Sequence, residues 1–446
     1  MRISKDGKHI DYKDIFIDLD YAQDLDEQIV VAEKVGGRRY VSVHDVLSQP
    51  MGTFYKTLGN DADQIQVYRN TLTTYDFSTI TIKDYPIEVA CEVFSRINTG
   101  GKVLTAFEIM VAKTYDEQKG FDLAERYEIL RDGSDDEKQC LTAAKFETIS
   151  AATVLQCVAA VTLKAVRSRD ILKIRRETFI DQWEPMKAAL FTAVDFVRSE
   201  LRVPVSQLVP YSATLVPLAY FFHATGNKKP SNAQVRSLEQ FFYWVGLTER
   251  YSSATESKLA EDFARMDAIS QGEAPHYPPT ELNVDPKTIE HTWFSAGNAY
   301  CKAILCLLAS QQPKSFDTNG SVLLDNSNLK IATSRNYHHF FPKAYLLAAD
   351  PHAEPNLVAN ITLLDGYSNK HRIGKKPPSN YIGKFAKTNR TLGATLRTHL
   401  IEDLWSFGVV DDDYEKFVSA RADAIASALN AKLTPSKTLK GWKAGH

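Results

Sequence analysis

Two neighbouring stretches decide the reading of this chain: NYHHFFPKAYL (336–346) and NITLLDGYSNKHRIG (360–374). The first sets two adjacent histidines, His338 and His339, at the end of a short aromatic strand and runs into Pro342-Lys343. The second opens on Asn360, continues as the apolar strand ITLL, turns through Asp-Gly and reaches Asn369 nine residues after Asn360. The order is short strand, loop, strand, turn, helix.

That order suits phosphodiester hydrolysis. The reaction needs a base to activate water, a cation to stabilise the developing charge, and a group that orients the base. His339 is the candidate base, since an imidazole titrates near neutrality. His338 is the candidate first metal ligand, Asn360 the residue that fixes His339, and Asn369 the second metal ligand. Lys370, His371 and Arg372 adjoin Asn369 and are placed to contact the scissile phosphate. Imidazole nitrogen and amide oxygen in an open site suit Mg2+ or Mn2+, with nickel and zinc as alternatives.

Each of these residues has a plainer reading taken alone. Adjacent histidines are more often ordinary surface or core residues, Asn360 could cap a turn, and Asn369 could occupy a left-handed turn. Phe340, Phe341 and Tyr345 read as core. The combined pattern is far more specific than its parts.

Directly behind it, from Ser368 to Leu400, stand Lys370, Arg372, Lys375, Lys376, Lys384, Lys387, Arg390 and Arg397 with no acidic residue. Such a run can bind phosphates by releasing counterions, or can simply be a solvated surface. The whole chain carries a formal net charge of only −2, so the charge signal is local.

With 446 residues, two or three domains are expected. Residues 15–21 (IFIDLDY), 38–43 (RRYVSV) and 77–85 (FSTITIKDY) read as strands, and PIEVACEVFSRIN (86–98) as a helix opened by proline. In TAFEIMVAKTYDEQ (105–118), Thr105 and Glu108 have capping-box spacing at a helix start. Residues 120–285 repeat apolar residues at helical intervals almost throughout. The stretch QGEAPHYPPTELNVDP (271–286) is the clearest linker, and FSAGNAYCKAILCLLAS (294–310) is a further helix. The expected organisation is mainly α with small α+β parts, divided as 1–118, 119–285 and 286–446. Trp244, Tyr243 and Tyr251 lie at helical spacing and read as core rather than as a base pocket.

The five cysteines, Cys91, Cys140, Cys157, Cys301 and Cys306, contain no CxxC pair, and their odd number argues against a disulfide framework. No apolar run is long enough to span a bilayer, and 151–166 reads as a buried helix. The N-terminal residues lack signal-peptide logic, so a cytoplasmic location and no membrane partner are expected.

The residues also resemble a known family. HHFFPKAYL followed by ANITLLDGYSNKHRIGKKPPSNYI is similar to the His-Me finger (HNH) nuclease domain of GmrSD-type proteins, which include SspE- and BrxU-like members and act in bacterial restriction of modified or foreign DNA. VFSRINTGGKVLTAFEI (93–109) resembles the closing motif of the family's ParB/sulfiredoxin-like N-terminal domain. VPYSATLVPLAYFFHATG (209–226) and FFYWVGLTERYSSATESKLAEDF (241–263) resemble its helical middle. The resemblance therefore runs along nearly the whole chain in the same order. It implies a partial ParB/sulfiredoxin-like N-terminal region, a helical middle domain and a C-terminal ββα-metal HNH domain. It gives His339 as base, His338 and Asn369 at the metal, Asn360 as orienting residue, and Arg96, Asn98, Thr99 and Lys102 around a nucleotide pocket. A helix end followed by TGGK can offer backbone N–H groups and a cation to phosphate, although the same glycines could form a C-cap.

One departure stands out. The family's early DGQQR motif is not found, and Asp6-Gly7 continues as KHIDY. The expectation is that the piece carrying it is missing, separately encoded or lost, which puts nucleotide handling in doubt.

The expected activity is divalent-metal-dependent endonucleolytic hydrolysis of DNA in restriction or anti-phage defence, with double-strand cleavage favouring a homodimer. The competing expectation is a catalytically weak nucleic-acid-binding protein, or a nucleotide-responsive regulatory one, derived from such a nuclease.

Overall fold

The computed structural model describes residues 15–21, 30–31, 34–76, 104–329, 337–364 and 372–434. The protein is mainly helical with two small antiparallel sheets. It divides into two compact units, Met1–Asp84 and Tyr85–His446.

The first unit holds a three-stranded sheet of β1 (Phe16–Asp18), β2 (Val30–Val31) and β3 (Tyr40–Ser42), in the order β2-β1-β3. β1 and β3 fall within the two expected strands at 15–21 and 38–43. Ile17 pairs with Val41 across the sheet, and both are buried. Strand alternation puts these side chains on one face. That face is covered by Val46 of α1 (Val43–Ser48), Phe54 of α2 (Met51–Leu58), and Ala62 and Ile65 of α3 (Asp61–Thr73). Buried Asp18 is neutralised by Arg38 at 3.1 Å. The expected strand 77–85 and helix 86–98 lie wholly or largely outside the described residues, as do Arg96, Asn98, Thr99 and Lys102.

The second unit is a helical body. Its first described helix, α4 (Ala106–Thr114), starts as expected: the Thr105 side chain accepts from the Glu108 backbone N–H, and the Glu108 carboxylate accepts from that of Thr105. Met110 of this helix lies in the core of the second unit, not the first. The helices α5 (Leu123–Asp132), α6 (Ala151–Leu163), α7 (Arg176–Ser199), α8 (Leu215–Ala224), α9 (Asn232–Leu247) and α10 (Thr255–Ser270) follow. Helix α6 is the apolar stretch read as buried; Ser150 caps its start and residues 153–155 and 157–160 are buried. Each fully buried Leu, Val or Phe contributes about 1.5–3 kcal/mol from apolar burial.

Residues 271–286 do not separate two cores. Tyr277, Val284 and Ile289 are buried in the same cluster as the helices before and after them. The chain passes through α11 (Pro286–Glu290) into α12 (Ala299–Ser310), whose start is capped by Asn298. Helix α12 packs closely against α9 because residue 246 is glycine. A Cβ there would meet the Pro210 ring at 2.8 Å and Ala303 at 2.9 Å.

The second sheet is a pair, β4 (Tyr337–His339) and β5 (Ile361–Leu363), joined through α13 (Lys343–Ala349). Helices α14 (Pro378–Thr388), α15 (Leu392–Arg397) and α16 (Tyr414–Leu433) complete the unit. Trp183, Tyr243 and Trp244 are buried to within 2% exposure, which makes them core. Cys140, Cys157, Cys301 and Cys306 are buried free thiols, and Cys91 lies outside the described residues. Among the described residues no helix is long and apolar enough to cross a membrane.

Candidate active site

The strand pair places His338 and His339 on its two opposite faces, with Asn360 at the entry to β5, so the two histidines do not share a face as the expected site requires. β4 and β5 run antiparallel, with Tyr337 opposite Leu363, His338 opposite Thr362 and His339 opposite Ile361. Successive strand residues face opposite sides. His338 therefore shares a face with Thr362 and His339 shares one with Ile361. His338 is buried at 3% exposure, whereas His339 is half-buried at the strand end.

Asn360 is fully buried and spends its amide on the loop. Its Oδ1 accepts from the Phe341 backbone N–H at 2.8 Å, and its Nδ2 donates to the carbonyls of Phe341 at 3.0 Å and Pro355 at 2.9 Å. Its own carbonyl accepts from Phe340 N–H at 2.8 Å. Asn360 thus clamps the chain leaving His339 to the chain entering β5. Its bonds are with Phe340 and Phe341, the two residues after His339, and with Pro355, not with the imidazole it was expected to orient.

The side-chain partner of the His339 ring is a residue that sequence reading did not single out. Nε2 of His339 lies 2.8 Å from Oδ1 of Asn356. Burial pulls the His339 pKa below its ordinary value. The Asn356 hydrogen bond opposes that shift, and the nearby Lys343 cation adds to it. The ring is held toward the neutral form, which a base requires.

Behind the pair lies a second polar group. His399 is buried, with Nε2 2.8 Å from the Lys314 carbonyl and Nδ1 2.7 Å from Oγ1 of Thr362. A carbonyl only accepts, so Nε2–H donates to it and Nδ1 accepts from the Thr362 hydroxyl. Burial pulls the His399 pKa down to about 3. Arg421, also fully buried, donates from Nη1 to the carbonyls of Ala359 and Ile361, both at 2.7 Å. Burial lowers its pKa to about 9.

Aromatic packing fixes the loop from the other side. Phe340 stacks on Phe417 of α16 with ring centroids 4.6 Å apart and planes 8° from parallel. The Tyr381 hydroxyl donates to the Phe340 carbonyl at 2.6 Å. Tyr381 belongs to α14, which buries Tyr381, Ile382 and Phe385 and exposes Lys384 and Lys387. The basic run is therefore anchored directly on the residue after His339. Arg390 and Arg397 are exposed too, while Arg372 is paired with Asp317 at 2.6 Å.

Asn369, Lys370 and His371 lie outside the described residues. Among the described residues no group of three or more His, Cys, Asp and Glu gathers as a metal site. Of the two expected ligands, the described residues include His338. Its imidazole nitrogen is of a ligand type that suits a divalent transition ion.

No family model matches the chain. A similar protein is the uncharacterized protein MJ0686 of Methanocaldococcus jannaschii, 21% identical over 413 residues, an alignment covering 81% of this chain and 66% of that protein. The chain thus spans just under two thirds of that relative's length.

Proposed function

We propose that the protein is a GmrSD-type, divalent-metal-dependent HNH endonuclease that hydrolyses DNA phosphodiester bonds. The observation that carries this reading is the strand pair in which His339 stands at a strand end, the buried Asn360 clamps the loop behind it, and a basic helix docks on Phe340. In this reading β4 and β5 are the two strands of a ββα-metal finger, and residues 1–118 are a remnant of a ParB/sulfiredoxin-like domain. Restriction or anti-phage defence is the corresponding role.

His339 takes the proton from the attacking water, the water oxygen bonds to phosphorus, and the bond from phosphorus to the leaving sugar oxygen breaks. His338 and Asn369 would hold Mg2+ or Mn2+, which supplies charge stabilisation at the phosphate. Lys370, His371 and the exposed lysines of α14 would bind the DNA backbone. Arg96, Asn98, Thr99 and Lys102 would contact a nucleotide.

The test is conversion of supercoiled plasmid in Mg2+ or Mn2+. The wild-type protein is expected to nick or linearise it, chelation to stop the reaction, and His339→Ala to abolish it. Undiminished cleavage by His339→Ala would remove His339 from the reaction.

The burial of His338 favours a second reading, a DNA-binding protein that has lost catalysis. Calorimetric titration with Mn2+ separates the two. Binding that disappears in His338→Ala supports the nuclease, and no binding by the wild type supports the non-catalytic protein.

A further inference from the structure

Asn356 has no helical or strand repeat to mark it, yet its backbone is clamped on both sides. The carbonyl before it, that of Pro355, accepts from Asn360 Nδ2 at 2.9 Å. Its own carbonyl accepts from Phe294 N–H at 2.7 Å, and Val358 N–H donates to the Thr292 carbonyl at 2.8 Å. Trp293 and Leu357 form an isolated antiparallel bridge between these contacts. The segment just ahead of α12 thus holds the Asn356 backbone as a neighbouring strand would. The side chain projects from a fixed point onto the His339 ring, Oδ1 to Nε2 at 2.8 Å.

An amide oxygen can only accept, so the ring nitrogen facing it carries the hydrogen. In a neutral imidazole the other nitrogen then holds the lone pair. We propose that Asn356 is a positioning residue for His339: it fixes the Nε2–H tautomer and leaves Nδ1 as the proton acceptor. The proposal rests on the nuclease reading above for its functional meaning. The hydrogen bond itself can be read without any cleavage.

The division of labour between the two asparagines follows. Asn360 holds the loop that leaves His339, and Asn356 holds the ring. Neither alone sets both position and tautomer.

The experiment combines two readouts. Histidine-selective 15N labelling of the full chain, with the His339 signals assigned by their loss in His339→Gln, reports which ring nitrogen is protonated. The wild type is expected to show Nε2 protonated and Nδ1 bare. Asn356→Asp keeps an acceptor and is expected to keep that tautomer and most of the cleavage rate. Asn356→Ala is expected to give a tautomer mixture and a rate roughly tenfold to a hundredfold lower, the usual scale for removing a residue that orients a functional histidine. A bare Nε2 in the wild type, or an unchanged tautomer in Asn356→Ala, overturns the proposal. Loss of the tautomer in Asn356→Asp would also overturn it, because an acceptor at this position would then not be what holds Nε2–H. If the tautomers follow expectation while the wild type cleaves no DNA, the nuclease reading falls and the hydrogen-bond assignment stands.

Discussion

Two of the polar networks buried in the second unit are built on opposite principles. In the helical body, fully buried Asp262 accepts from Arg250 Nε at 2.9 Å, Arg265 Nη1 at 2.7 Å and the Tyr251 hydroxyl at 2.6 Å. Both guanidinium groups also lie over the Trp244 ring, at 4.7 and 4.8 Å. Burial pushes the Asp262 carboxyl up, and the hydrogen bonds from Arg250 and Tyr251 pull against it. Here charge is answered by charge. Around the strand pair, by contrast, the partners are amides, hydroxyls and carbonyls: Asn360 on the loop, Asn356 on His339, Thr362 and the Lys314 carbonyl on His399. Even Arg421 is answered by carbonyls of the β5 segment. The first network is closed, and its loss should be felt as stability. The second is a set of neutral holds on geometry, and its loss should be felt at His339.

The largest expected effect tests the closed network. Asp262→Ala removes the buried carboxylate of both cations, leaving Arg250 with the exposed Glu261 and Arg265 with the His276 carbonyl, and breaking a buried ion pair in this way costs roughly 3–5 kcal/mol. Urea denaturation should show that loss, while the residual folded protein should keep its His339 tautomer. A stability change within experimental error would break the comparison.

Next is Asn360→Ala. It strips partners from the Phe341 N–H and from the Phe341 and Pro355 carbonyls. The Phe341 N–H left without its acceptor costs about 1–3 kcal/mol, and the under-satisfied carbonyls, which relax more readily, cost less. Both stability and cleavage should fall, in contrast to Asn356→Ala, where cleavage should fall far more than stability.

His399 supplies a pH test. Its pKa is about 3 in the fold against an ordinary 6.5, so between these values the unfolded chain binds a proton that the folded chain does not. Stability from neutral His399 is complete above 6.5 and is lost progressively as pH falls toward 3. The pH slope of the unfolding free energy should flatten in His399→Gln; an unchanged slope would mean that other groups carry the acid sensitivity.

The smallest effect is expected at Lys343, an exposed cation whose field reaches His339. Lys343→Ala should leave stability within about 0.5 kcal/mol, as surface substitutions do. It should lower the cleavage rate severalfold, the more so at low salt. A rate indifferent to the substitution would place the phosphate away from this end of α13.

The sequence made some of this legible and hid the rest, for physical reasons. The Thr105–Glu108 capping box and the helical body followed from spacing, because caps and periodicity are local. His338, His339 and Asn360 stood out as a pattern; the strand pair holds all three, but it turns the two histidines to opposite faces and leaves Asn360 on the loop rather than on the ring. Asn356 did not, since one asparagine in a polar loop carries no repeat, and its partner lies seventeen residues away. Arg421 and Asp262 sit in helices dense with charge, where a solvated face is the ordinary expectation; only packing shows them buried. The stretch 271–286 looked like a linker from its prolines, yet Tyr277 and Val284 are buried in the common core.

The most direct test of the central claim is a crystal of the full chain soaked in Mn2+ and measured for anomalous scattering. The account predicts one strong peak bonded to His338 and Asn369, with His339 beside it and its Nε2 still on Asn356. No peak at His338, or a Mn2+ held elsewhere by carboxylates with the strand pair bare, would contradict it.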